Sequence, residues 1–472
     1  MRSAILSFLM QSLQRDSKIT WTRRLIAISL ILLAISFVGI LVMGSYYNEP
    51  ITRNFSYLAD DGWCNPNQEG LGKHCFGDFQ APRVFLEEPL TWNDNRHQNL
   101  PPTSLILHKL ANYVEKFTSI RTSLAIYLLF LAFCLLSPVI PLLKRNLRGL
   151  AETPTFFLLI ITSLPVISVL DRGTSAGFAV APLTIFALNF NKESKWPAIF
   201  AIILATTIRP HFILVAIAYL AFRRYRDFLY AIVGSAILTL FSFILFGFDN
   251  FIGWIKNLIM YSGSYPLVND FPSNLSFARA IVKLLQILHV VPIRSNFSNG
   301  TIYIASTGIL LLFVIVIIFH LTRETSNSIL VVPICLLLPV LVPTATFSYY
   351  SLVLLPISAF LFVPHNQIFD TNQSVIASKI DVDHSVPNWW KWLIIFALSL
   401  SLAPLPFVGE VRRQNYDYHE IARQSFSIEN FGIIWSIVLL ATLSVVIRNE
   451  IHSRQDQAES STKSVATNEH DK

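Results

Sequence analysis

Four short elements in an otherwise apolar chain hold groups able to do chemistry: "GDF" at Gly77 to Phe79, "DRG" at Asp171 to Gly173, "IRPH" at Ile208 to His211 and "TFSYYS" at Thr346 to Ser351. Asp78 is a carboxylate, and a general base needs little more than reach to the hydroxyl it deprotonates. Asp60 and Asp61, in "DDGWCNPNQEGLGKHCFGDF", are rivals for that role. Arg172, Arg209 and His211 are suited to an anion, a phosphate above all, through charge-assisted hydrogen bonds. Each group also has a plainer reading. An Asp after Gly77 suits a helix N-cap or a turn, and Arg172 with Asp171 suits a local ion pair snorkelling at an interface. Charges near membrane depth cost a few kcal/mol each and tend to line cavities or pair, so their convergence on one face is what points to a site.

The elements that must position these groups are membrane-spanning helices. Of 472 residues 53% are hydrophobic and 14% charged, with 36 Phe and a mean hydropathy of +0.52; a soluble globular chain is far more polar. Apolar runs of spanning or near-spanning length fall at 24–46, 121–143, 153–170, 174–190, 195–209, 210–223, 228–247, 301–321, 328–348, 350–364, 389–408 and 431–448. The first follows "KITWTRR" and lacks a small-residue cleavage pattern, which predicts a retained anchor. The net charge of +7 resides in alternate connections, "KRNLR", "NKESK", "FRRYRD", "HLTRE" and "RNEIHSR" among them. Cations so placed report orientation, not nucleic acid, and put both termini in the cytoplasm. The fold class predicted is an all-α polytopic bundle of about twelve helices, with amphipathic interfacial helices and outer-face loops.

The expected organisation is a cytoplasmic N-terminus and first helix at 1–46, outer loops at 47–120 and 248–300, helices at 121–247 and 301–448, and a disordered cytoplasmic tail at 449–472. Both outer loops carry amphipathic stretches, "PPTSLILHKLANYVEKF" and "SFARAIVKLLQIL", able to lie along the membrane. Asp78, "DRG", "IRPH" and "TFSYYS" all fall on that outer side. There Cys64 and Cys75 are expected to pair, adding about 3 kcal/mol in the chain-entropy account of so short a loop. His74 with these cysteines lacks a fourth ligand, so no metal is expected, nor any cofactor. Cys134 and Cys335 lie in apolar runs as packing residues. Asn-x-Ser/Thr triplets at Asn54, Asn274, Asn296, Asn299 and Asn372 are read as ordinary polar loop residues. No phosphate-cradling Gly-rich loop is present, so an activated substrate would come from the lipid phase. A secondary transporter is the alternative, although transporters favour ionisable groups at mid-membrane and repeated halves.

Taken in order, "GDF", "NLPPTSLILHKL" at Asn99 to Leu110, "DRG", "IRPH" and the segment beginning "FRRYRDFLYAIVG" resemble the membrane-embedded glycosyltransferases of the polyprenol-phosphate-mannose-dependent mannosyltransferase family, of the GT-C class, the bacterial phosphatidylinositol-mannoside mannosyltransferases among them. The resemblance spans residues 25–360, and the form "DDGWC…GLG.HCFGDF" points to a bacterial cell envelope. It implies that Asp78 is the general base, that Pro101 and Pro102 match a double proline at the substrate pocket, and that Arg209 with Pro210 match a Lys-Pro pair. Tyr349 and Tyr350 stand where a His-Tyr pair is expected, while Leu100 replaces the Tyr before the prolines. The activity implied is inverting transfer of a sugar, mannose first, from a polyprenyl-phosphate donor to a glycolipid or glycan on the extracytoplasmic face of the plasma membrane.

Overall fold

The computed structural model describes residues 27–42, 76–86, 100–143, 152–192, 194–263, 274–289, 304–312, 314–315, 328–343, 348–362, 388–410, 421–426 and 430–445, with isolated positions at 45, 346, 447, 448, 451 and 455. In chain order the elements used below are α1 (Ala27–Val42), α2 (Gly77–Phe85), α3 (Pro102–Phe117), α4 (Ile120–Leu136), α5 (Glu152–Ile161), α6 (Leu164–Arg172), α7 (Val180–Asn189) and α8 (Trp196–Ile208). They continue with α9 (Ile217–Ala221), α10 (Tyr225–Ser242), α11 (Asp249–Gly263), α12 (Phe277–Ile287), α13 (Ser328–Leu341), α14 (Leu354–Phe362), α15 (Asn388–Leu402) and α16 (Phe431–Val445). Three 3₁₀ segments matter to the site: Ser175–Ala179, Pro210–Ala216 and Ser348–Val353.

Local chemistry explains where these elements begin. Proline opens α3, α6, α8 and the segment Pro210–Ala216 at its first or second position, where its missing N–H has no helical partner to lose and its fixed φ suits the first turn. Ser119 and Ser276 cap α4 and α12 by accepting the backbone N–H of Thr122 and Arg279.

Hydropathy is inverted relative to a soluble bundle. Down Tyr225–Leu245, Leu229, Val233, Ile237, Leu240 and Ile244 form one exposed stripe of large apolar side chains, and Leu129, Phe130 and Phe133 do the same on α4. Such faces are stable only against lipid, and a helix is the element that satisfies its own backbone there. Ile120–Val139 and Tyr225–Leu245, of 20 and 21 residues, are long and apolar enough to cross a bilayer. Behind them α7 packs between α8 and α14, and α8 between α7 and α10. The core between them includes Leu131, Leu183, Phe186, Ile202, Phe212 and Leu355, all fully enclosed.

Several apolar runs fold differently from their hydropathy. The run 153–170 is divided into α5 and α6 at Ser163, ahead of Pro165, and 174–190 begins with a 3₁₀ segment before α7. Among the described residues, the other apolar helical stretches, such as Ala27–Val42, Trp196–Ile208 and Tyr349–Phe360, are 10–17 residues long, shorter than a full crossing. Among the described residues the fold is helical except for one two-stranded antiparallel ribbon, β1 (Pro406–Glu410) paired with β2 (Ile421–Ser425). β1 overlaps the predicted helix 389–408, which stops at Leu402 ahead of Pro404 and Pro406, since neither proline can donate a helical N–H.

Candidate active site at the helix ends

The site is built where α6 stops. Gly173 adopts φ 64°, its N–H bonds to Leu170 O, and Thr174 N–H bonds to Val169 O. This is the paired 5→2 and 6→1 pattern of a glycine-terminated helix. A Cβ at Gly173 would come 2.9 Å from Phe79 Cβ, so the same glycine lets α2 settle against the end of α6. Phe76 N–H bonds to Asp171 O at 3.1 Å, and Phe79 is buried against Tyr127 and His108. These anchors leave Asp78, between them in sequence, facing Arg172.

Arg172 Nη2 donates to Asp78 Oδ1 at 2.9 Å and Nε to Oδ2 at 3.3 Å, with side chains only 11% and 23% exposed. Fork-on-carboxylate geometry of this kind is both strong and directional. The local pairing of Arg172 with Asp171 does not account for this reach across 94 residues of sequence. Thr174 joins the second arginine to the same carboxylate: its hydroxyl accepts from Arg209 Nη2 at 3.3 Å and donates to Asp78. Burial pushes the Asp78 carboxyl up; the charge and hydrogen bonds of Arg172, the charge of Arg209 and the Thr174 hydroxyl together outweigh it and hold the group below its ordinary value.

Two tyrosines close the arrangement. Arg172 lies over the Tyr349 ring at 5.2 Å, the Tyr349 and Tyr350 rings meet at a tilt with centroids 4.6 Å apart, and His211 meets Tyr350 edge-on at 4.5 Å. His211 is two residues from Arg209, so Asp78, Arg172, Tyr349, Tyr350, His211, Arg209 and Thr174 form a continuous ring. His211 Nε2 has no hydrogen-bond partner among the described residues. The tyrosine segment is held by Asn274, whose buried side-chain oxygen accepts from Thr346 N–H at 3.0 Å and Ser276 N–H at 3.1 Å, while Leu275 N–H bonds to Thr346 O.

The structure thus brings together Asp78, Arg172, Arg209, His211, Tyr349 and Tyr350. Pro101 and Pro102 are buried at the start of α3, where Ser104 donates to Ile208 O at 2.6 Å beside Arg209; they buttress the ring and are not members of it. Lys283, on α12, donates to Asn430 at 3.0 Å. Asp60, Asp61, Cys64 and Cys75 lie outside the described residues. Sequence reasoning missed Thr174 and Asn274. The first directly follows "DRG", which is a usable signal; the second sits in an Asn-x-Ser triplet, and nothing local marks it as a clamp.

Fold and ring together describe a helical membrane protein with a half-buried carboxylate and two arginines gathered at the ends of its helices. Residues 100–343, just over half of the chain, match Glycosyltransferase family 87, and the chain belongs to that family. The protein is accordingly a glycosyltransferase. The matched region holds Arg172, Thr174, Arg209 and His211. No curated protein and no solved structure matches the chain.

Proposed function

We propose that the protein moves a sugar, mannose first among candidates, from a polyprenyl-phosphate donor to a glycolipid or glycan, with the ring on the extracytoplasmic face of a multi-pass plasma-membrane enzyme. The observation that carries this reading is the ring itself: one carboxylate, the half-buried Arg172, the buried Arg209 and a histidine whose Nε2 has no hydrogen-bond partner among the described residues, gathered where lipid-facing helices end. An acceptor O–H gives its proton to Asp78 as its oxygen attacks the anomeric carbon. The bond from that carbon to the phosphate oxygen breaks with its electron pair leaving on the phosphate, whose growing charge Arg172, Arg209 and His211 meet. Attack opposite the leaving group inverts the centre, and no protein nucleophile is needed.

The Arg172 fork has a mechanistic consequence. A carboxylate held below its ordinary value is ionised but weakly basic. A donor phosphate competes for Arg172, so its arrival strengthens Asp78 as a base when the donor is in place. The test is Asp78→Asn, assayed in membranes with labelled polyprenyl-phosphate mannose and arabinose. Insertion should be normal and transfer should fall at least about a hundredfold, the usual scale for loss of a general base. Near-normal transfer by this variant overturns the mechanism, and loss in Asp60→Asn or Asp61→Asn instead reassigns the base.

A further inference from the structure

Charged groups account for a phosphate and a proton, but a sugar is mostly neutral hydroxyls. Two neutral hydroxyls near the ring have no hydrogen-bond partner among the described residues. Tyr127, on α4, is 5% exposed, and its ring is packed by Phe79 at 5.0 Å and Phe178 at 5.4 Å. Its hydroxyl has no hydrogen-bond partner among the described residues, yet it lies within electrostatic reach of both Asp78 and Arg209. Phenylalanine would pack as well, so packing explains the ring and not the oxygen. Ser175 is 1% exposed, and its Oγ also has no partner among the described residues. It follows Thr174, the residue that bridges Arg209 and Asp78.

The two belong to one wall. The 3₁₀ segment Ser175–Ala179 is pressed onto α4 at Gly177, where a Cβ would fall 2.6 Å from Leu131 Cδ1, one helical turn beyond Tyr127. The Asp78 and Arg172 side chains are 23% and 11% exposed, whereas Tyr127 and Ser175 are 5% and 1% exposed, so the two hydroxyls are the more enclosed groups. Unpartnered buried hydroxyls are costly and are rarely retained without a use. A group that both donates and accepts without charge matches a polyol better than a phosphate.

We propose that Tyr127 and Ser175 form a neutral subsite near the Asp78–Arg172 pair that takes hydroxyls of the transferred sugar. This rests on the reading of the ring as a glycosyl-transfer site. A sugar enters it, and each of its hydroxyls satisfies one protein oxygen that is otherwise unmet. Tyr127 and Ser175 are then specificity determinants, since a site built to bond a hydroxyl discriminates strongly against a ligand lacking it.

The experiment uses the full-length protein in nanodiscs, with Tyr127→Phe and Ser175→Ala compared with wild type and Asp78→Asn. Thermal midpoint, binding and transfer are read with labelled polyprenyl-phosphate mannose and polyprenyl-phosphate arabinose. Because neither hydroxyl has a hydrogen-bond partner among the described residues, both substitutions should leave the midpoint equal to or above wild type while kcat/KM for the preferred sugar falls about 10- to 100-fold. A lowered midpoint with unchanged kcat/KM would make the residues structural and overturn the subsite, as would wild-type values of both. Wild-type transfer that Asp78→Asn abolishes and these variants leave intact overturns the subsite alone. A wild type that neither binds nor transfers either sugar overturns this proposal and the function beneath it.

Discussion

Gly173 is the position where backbone geometry and catalysis should be inseparable, and Gly173→Ala is the perturbation that shows it. An alanine held at φ 64° in the left-handed region costs about 1–2 kcal/mol. Its Cβ would lie 2.9 Å from Phe79 Cβ, about 0.6 Å or more inside an ordinary carbon–carbon contact. Phe79 is fully buried against Tyr127 and His108, so overpacking there adds about 1–3 kcal/mol. The variant is therefore expected to lose about 2–5 kcal/mol of stability. Relief of the contact moves α2 outward and Asp78 with it. Displacement by half an ångström takes the 3.3 Å bond from Arg172 Nε beyond hydrogen-bonding length. Transfer should drop about 10- to 100-fold, because misplacement on the ångström scale costs about a hundredfold. The assay is thermal midpoint and sugar transfer on the same purified sample. Gly173→Asn separates the two causes: asparagine tolerates the left-handed region but carries the same Cβ, so it should fail as alanine does. Rescue by asparagine, or wild-type behaviour of alanine, refutes the argument that this glycine seats Asp78, the proposed base.

Arg172→Gln should move the acid limb of kcat/KM to higher pH: Asp78 must be ionised to act, burial alone raises its carboxyl, and the arginine that lowers it is gone. In the wild type that limb is expected below the ordinary carboxylate range; an unmoved limb in the variant contradicts the assignment. Asn274→Ala leaves the buried N–H groups of Thr346 and Ser276 without their acceptor, at about 1–3 kcal/mol each; the midpoint and transfer should both fall, and Asn274→Asp, which still accepts both bonds, should recover most of the transfer. Asp227 is a structural control, pairing with Arg224 at 2.6 Å and Lys195 at 3.3 Å near the start of α8, about 20 Å of helix from Arg209. Asp227→Asn should cost about 1–3 kcal/mol, discounted because Lys195 is half exposed, with kcat and KM unchanged; altered kinetics would link the two ends of α8.

The amino-acid sequence by itself determined what depends on neighbours along the chain. Prolines at the starts of α3, α6 and α8 and glycine at the end of α6 mark helix limits through backbone dihedrals and a missing donor, and these are local quantities. Lipid-facing helices follow from composition, because an apolar surface has to be solvated by something apolar. The rarity of charge in such a chain also made Asp78, Arg172, Arg209 and His211 visible as candidates. Tertiary structure decided partners and positions. Arg172 crosses to Asp78, 94 residues away, in preference to the neighbour reading with Asp171, since helix geometry sets where each side chain leaves the backbone and packing sets what it meets there. Asn274 became a clamp and Tyr127 an enclosed hydroxyl for the same reason. Hydropathy records that a residue is polar or apolar, whereas a hydrogen bond requires a particular atom within about 3 Å at a suitable angle, and only the packed helices supply that.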